Sequence, residues 1–253
     1  MEAEILVPTE LNEIPLKSYQ QFMDSYEKSN DEEFLCQKMV QIFCGLRLRD
    51  VFQVKWSDVK EITIHLSEMF KNKPSFQHKF TLQGVEFGFI TDLENMSFGE
   101  YIDLTQNLDK VENWHKAMAV MYRPITERRK EKYKIEEYNG TNSYAEVMKF
   151  APLGVVLGSQ VFFLDFNKRL TSKFADIFKK RDDDQGNETD FSERTQFAER
   201  WGWYSSIYAI ANGQLQGFRD VTRLPIQDCL TWLTFEKQKR NIEYNEMQRQ
   251  LKK

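Results

Sequence analysis

Three histidines, three cysteines, one acidic run and one basic run are the residues whose types and spacing can do chemistry in this chain. Cys36 and Cys44 are eight residues apart and share a helical face with Met39 and Phe43, which is the setting of small buried hydrophobes. Neither has a histidine or another cysteine at metal-ligand spacing. His65, His78 and His115 fall on a helix, a strand and a second helix, so a zinc site or a nucleophile–base pair would need folding to bring them together. Asp182-Asp183-Asp184 invites a cation, yet no glycine and glutamate follow at the offsets of a calcium loop, and an acidic run of this kind is ordinarily solvated. A glycine-rich phosphate loop, a Gly-x-Ser-x-Gly elbow and a His-Glu-x-x-His helix are all missing from the sequence. The expectation is a protein that is not an enzyme, with no catalytic residue, no cofactor and no metal.

Two further clusters point to partners. Arg128, Arg129 and Lys130, with Lys132 and Lys134, carry enough positive charge to touch DNA phosphates, or simply to rim a solvated hairpin. Trp201 and Tyr204 fit an apolar helical stripe, whereas Trp203 lies off it and is the better candidate for a partner surface. The net charge of −4 argues against a surface that is a nucleic-acid footprint throughout.

The elements that position these residues are mostly helical. Leu16–Glu27, with Tyr19, Phe22, Met23 and Tyr26 at three- and four-residue spacing, predicts an amphipathic helix. A second is expected from a cap at Asn30 or Asp31 to Gly45, a short one over Leu46–Gln53, and a longer one capped by Ser57 and running through Phe70. Gln83-Gly84 between Lys79–Leu82 and Val85–Ile90 predicts a β-hairpin. Ser97 with Glu100 three residues on predicts a capping box, and Asn113–Tyr122 a further helix that Arg123-Pro124 ends. Tyr133–Tyr138 alternates as a third strand, Tyr144–Phe150 gives one or two helical turns, and Pro152 opens a long apolar helix reaching about Lys180.

Beyond it, Lys179 to Asp190 contains no apolar residue, so residues 181–190 read as a charged linker. Residues 1–180 then form an α+β core domain, mainly helical with a small antiparallel sheet or hairpin, and residues 191–253 a small all-α domain. A helix over Phe191–Asn212 and a short one over Leu215–Val221 precede a last helix opened by Pro225. The first half of that last helix carries Cys229, Leu230, Trp232, Leu233 and Phe235, of which Trp232, Leu233 and Phe235 are the expected anchors, while Lys237–Lys253 is polar apart from Ile242, Tyr244, Met247 and Leu251. Those four are too few for a core and enough for contact with a neighbour. The N-terminus lacks a basic leader before its short apolar run, and Ala151–Leu164 is too short to span a bilayer. Three widely spaced cysteines suit a reducing cytoplasm.

The segments Asp31-Glu32-Glu33-Phe34, Met39 to Cys44, Gly84 to Ile90, Ser97 to Leu104, His115 to Met118 and Tyr122 to Ile125 resemble the ring protein 1 family, the portal-proximal tail ring proteins of crAss-like bacteriophages. The likeness covers about residues 1–170. Ile207 to Gly213, Leu224 to Ile226 and Trp232 to Phe235 are similar to segments of phage tail assembly proteins, including tail assembly chaperones. The resemblance implies a non-enzymatic virion protein of the tail region, assembled in the host cytoplasm as a twelvefold ring. Its partners would be the portal, other tail ring proteins and the genomic DNA in the channel. The alternative is a tail assembly chaperone absent from the mature virion.

Overall fold

The computed structural model describes residues 5–130, 132–178 and 200–251, so the expected linker at 181–190, the Asp182–Asp184 run and the start of the helix after it lie outside the described residues. The fold is α+β and mainly helical, with one small four-stranded antiparallel sheet. Twelve α-helices appear among the described residues: α1 Leu16–Lys28, α2 Glu32–Phe43, α3 Leu48–Val51, α4 Trp56–Lys71, α5 Phe98–Leu108, α6 Trp114–Met121, α7 Ala145–Met148, α8 Leu153–Lys173, α9 Ala175–Phe178, α10 over 200–210, α11 Phe218–Arg223 and α12 Ile226–Leu251. The strands are β1 Lys79–Leu82, β2 Val85–Phe89, β3 Tyr122–Arg129 and β4 Lys132–Ile135, in the order β1-β2-β3-β4.

Two compact units emerge. The first comprises 1–91 with 103–164, the second 92–102 with 165–253.

In the first unit, Asp31 caps α2 by accepting a hydrogen bond from the Phe34 amide at 3.1 Å, as its position predicts. Ser57 does not cap α4. The helix starts two residues earlier, capped at Lys55, whose carbonyl accepts from the Asp58 and Val59 amides, while the Ser57 hydroxyl turns to the Asp58 carboxylate at 2.8 Å. Gln83 and Gly84 both have positive φ, 51° and 80°, the backbone a two-residue hairpin turn requires, and β1 and β2 pair across it.

The stretch after α6 departs from expectation. α6 ends at Met121, just before Arg123-Pro124 as expected, but the chain passes directly into β3, which pairs Phe87 with Pro124 and Phe89 with Tyr122. A proline inside a run normally demotes it as a central strand. Here the Pro124 carbonyl still accepts from the Glu136 amide at 2.9 Å, and a register shift between Ile125 and Glu127 follows it. The expected third strand over Tyr133–Tyr138 is therefore the fourth, ending at Ile135.

The core of this unit lies between the sheet and two helices. Every residue of α6 from Ala117 to Met121 is buried, as are Val155, Val156 and Phe163 of α8. Tyr122 is fully buried, with Phe80 and Phe89 edge-on at 5.0 and 5.2 Å. Its hydroxyl donates to the Gln77 carbonyl at 2.5 Å, which satisfies the one polar atom that burial would otherwise strand.

In the second unit, Ser97 and Glu100 form the reciprocal capping box. The Ser97 hydroxyl accepts from the Glu100 amide at 3.2 Å, and the Glu100 carboxylate from the Ser97 amide at 2.8 Å. That segment is tied to the start of α12 through Phe98 N to Leu224 O at 2.8 Å and Ile226 N to Met96 O at 2.9 Å. Gly99 lies 3.1 Å, measured from where a Cβ would stand, from the Thr222 carbonyl, so a small residue is required for the approach. Tyr101 is buried and donates to Asn167 at 2.7 Å.

Candidate partner interface

The histidines stay apart. His65 of α4 sits 3.3 Å from the Pro8 carbonyl, His78 packs edge-on against Phe76 at 4.7 Å, and His115 of α6 meets the side-chain amide of Gln20 at 3.2 Å. The cysteines pack as hydrophobes: Cys36 and Cys44 lie against the cluster of Val40, Val51 and Val59, and Cys229 is buried. Burial pushes the Cys44 thiol up to about 11, and burial followed by the nearby Asp228 charge does the same for Cys229, so neither presents a thiolate near neutral pH. Among the described residues no group of three or more histidine, cysteine, aspartate or glutamate side chains is placed to hold a metal ion. No helix among them is long and apolar enough to cross a membrane.

The basic run occupies the β3–β4 hairpin of the first unit. Arg128 is ion-paired with Glu86 of β2, and Lys134 lies 3.1 Å from Glu127 of β3, so these two charges are partly neutralised by the neighbouring strands. Arg129 and Lys130 remain exposed at the tip, where Lys130 adopts a φ of 57°. The tip can meet a phosphate only with those two side chains and Lys132 at its edge.

The second unit carries the richer surface. Trp203 of α10 is half-buried, and its ring meets those of Phe98, Tyr101 and Phe178 edge-on at 5.4, 5.7 and 5.9 Å. It is therefore a ring of this unit's own interior, while Trp201 and Tyr204 are exposed and tilt against each other at 5.3 Å. Gly202, between the two tryptophans, has a positive φ of 34°, and α10 continues through it.

Helix α12 divides in two. Ile226, Cys229 and Leu230 are buried, and Lys237 with Gln238 hold its middle to α9 by bonding the Asp176 carbonyl and carboxylate. Beyond Gln238 its ion pairs run along the helix itself, Lys239 to Glu236 and Glu243, and Arg240 to Glu236, at 3.9 to 4.0 Å. Ile242, Tyr244, Met247 and Leu251 are between 59 % and 74 % exposed. Phe235, an expected anchor, is 61 % exposed and joins them as a surface residue. It stands seven residues before Ile242, close to two helical turns, so the two side chains share a line on the helix. A groove of about 300 Å³ opens beside the helix, floored by Ile177, Ala209 and Leu233, walled by Trp232 and rimmed by Lys237 and Arg240.

Comparison with protein-family models, with curated proteins and with solved structures finds no match to this chain. The arrangement at hand is a set of exposed apolar side chains on α12, with cations at their margin.

Proposed function

We propose that this chain is a non-enzymatic structural subunit of a tailed-phage virion, repeated as a ring where the portal meets the tail. The observation that supports the reading is the exposed second half of α12, where Tyr244, Met247 and Leu251 are between 59 % and 74 % exposed. A polar helical extension of this length is marginal in water by itself, so contact with neighbours is its natural source of order. The resemblance of segments within residues 1–170 to portal-proximal ring proteins of crAss-like phages supplies the setting. Arg129 and Lys130 at the hairpin tip give the subunit a place to meet DNA in the channel.

The test is direct. Light scattering and negative-stain microscopy of the purified full chain should give a closed ring, and mass spectrometry of purified virions should find the chain at a stoichiometry of many copies per particle. A monomer that is absent from virions yet required for tails would instead fit a tail assembly chaperone, the reading that the short likeness around Ile207–Gly213 and Trp232–Phe235 favours.

A further inference from the structure

The exposed side chains of α12 are not on one face. Successive residues turn by about 100° around an α-helix, so Phe235 and Ile242 lie within about 20° of one another, and Tyr244, Met247 and Leu251 gather on the opposite side. The second group continues a seam of alternating four- and three-residue steps, Ile226, Leu230, Leu233, Lys237, Arg240, Tyr244, Met247 and Leu251, the spacing by which a helix packs on a helix. The start of that seam is buried inside the unit, and its end is bare. One helix thus offers two apolar lines to solvent, facing opposite ways.

Two different contact faces on each copy are what a head-to-tail ring needs, whereas a two-fold dimer needs a single self-complementary one. The two lines also match in spacing: Phe235 and Ile242 are seven residues apart, and so are Tyr244 and Leu251. Neighbours around a ring of many copies differ by a small rotation, so their helices run nearly parallel. Staggering two parallel copies by nine residues, about 13 Å along the axis, seats Tyr244 on the neighbour's Phe235 and Leu251 on its Ile242. The same stagger sets Lys237 opposite the neighbour's exposed Asp228, with Arg240 one turn on, so opposite charges meet at the margin.

We propose that α12 lies between two copies of itself in the assembled protein, its Tyr244–Leu251 face on one neighbour and its Phe235–Ile242 line receiving the other. This deepens the ring reading above and rests on it for the cyclic arrangement.

Disulfide trapping of the full chain tests it. Three variants are compared in a chain whose native Cys36, Cys44 and Cys229 are replaced by alanine, Ile242→Cys, Leu251→Cys and the double variant, each checked by circular dichroism and sized by light scattering before oxidation. Within one copy the two positions are about 13 Å apart along the helix, too far to bridge. The expected result is a ladder of linked species from the double variant alone, and a linked dimer when the two single variants are mixed. Linkage of either single variant by itself would mean two-fold pairing of like faces and would overturn the proposal. A double variant that forms an oligomer but never links would overturn it while leaving the ring reading in place, and a chain that stays monomeric at every concentration would remove both.

Discussion

The phenol ring of Tyr133 lies across Gly88: a Cβ at position 88 would stand 2.4 Å from Tyr133 Cε2 and 3.0 Å from Ile125 Cγ1. The close approach lets the Tyr133 hydroxyl share its hydrogen between the His78 and Phe89 carbonyls, each at 3.0 Å, which locks β4 over the β1–β2 hairpin. Gly88→Ala therefore should overpack the sheet and cost about 1–3 kcal/mol in urea unfolding. Tyr133→Ala in the same chain should relieve part of that cost, so the two changes will not add. Simple additivity would mean that the ring moves aside freely and the sheet is not built around this contact.

The capping box gives a second prediction. Ser97→Ala leaves the Glu100 amide without its acceptor at the start of α5 and should lower stability by about 1 kcal/mol. Ser97→Asp keeps an acceptor there and should restore it. Equal stability of all three proteins in chemical denaturation would show that the box does not hold the helix start.

A third concerns acid. His115 is buried on α6, its Nδ1 facing the Gln20 side-chain amide, and burial, then Lys149 and Lys116, lower its pKa, with Glu146 opposing. The folded chain thus favours the neutral ring, and the unfolded chain takes up a proton first as the pH falls through about 6.5. Stability contributed by neutral His115 is present above that pH and is lost below it. His115→Gln should flatten the fall in unfolding midpoint between about pH 6.5 and 5 relative to the native chain. A profile with the same slope in both proteins would mean that His115 protonates without penalty.

Local signals carried most of the helical part of this fold into view, because caps and periodicity act over three or four residues: Asp31, the Ser97–Glu100 pair and Gln83-Gly84 all do what their spacing predicts. What stayed hidden depends on long-range pairing. Tyr122–Arg129 is a strand because β2 and β4 flank it, and its Pro124 argues locally against that. Trp203 packs on its own unit because three rings from distant segments receive it. The exposed residues of α12 were legible as a polar helix with stray apolar positions, but that Phe235 belongs with them rather than with the anchors depends on which side of the helix its own unit covers.

Ending the chain at Gln238 separates folding from assembly. The residues removed include Ile242, Tyr244, Met247 and Leu251, all exposed, and the last side chains that tie α12 to α9, Lys237 and Gln238, remain. Removing surface residues of this kind changes stability by about 0.5 kcal/mol or less, so the melting temperature should move by no more than about 2 °C. Assembly should fail, because the shortened helix has lost the whole Tyr244–Leu251 face and, with Ile242, half of the line that would receive a neighbour's. Mixed with intact subunits, the truncated chain should stay out of the rings seen in negative-stain images. Closed rings built from truncated chains, or a truncated chain that no longer melts cooperatively, would each show that the end of α12 serves its own subunit and not the neighbour.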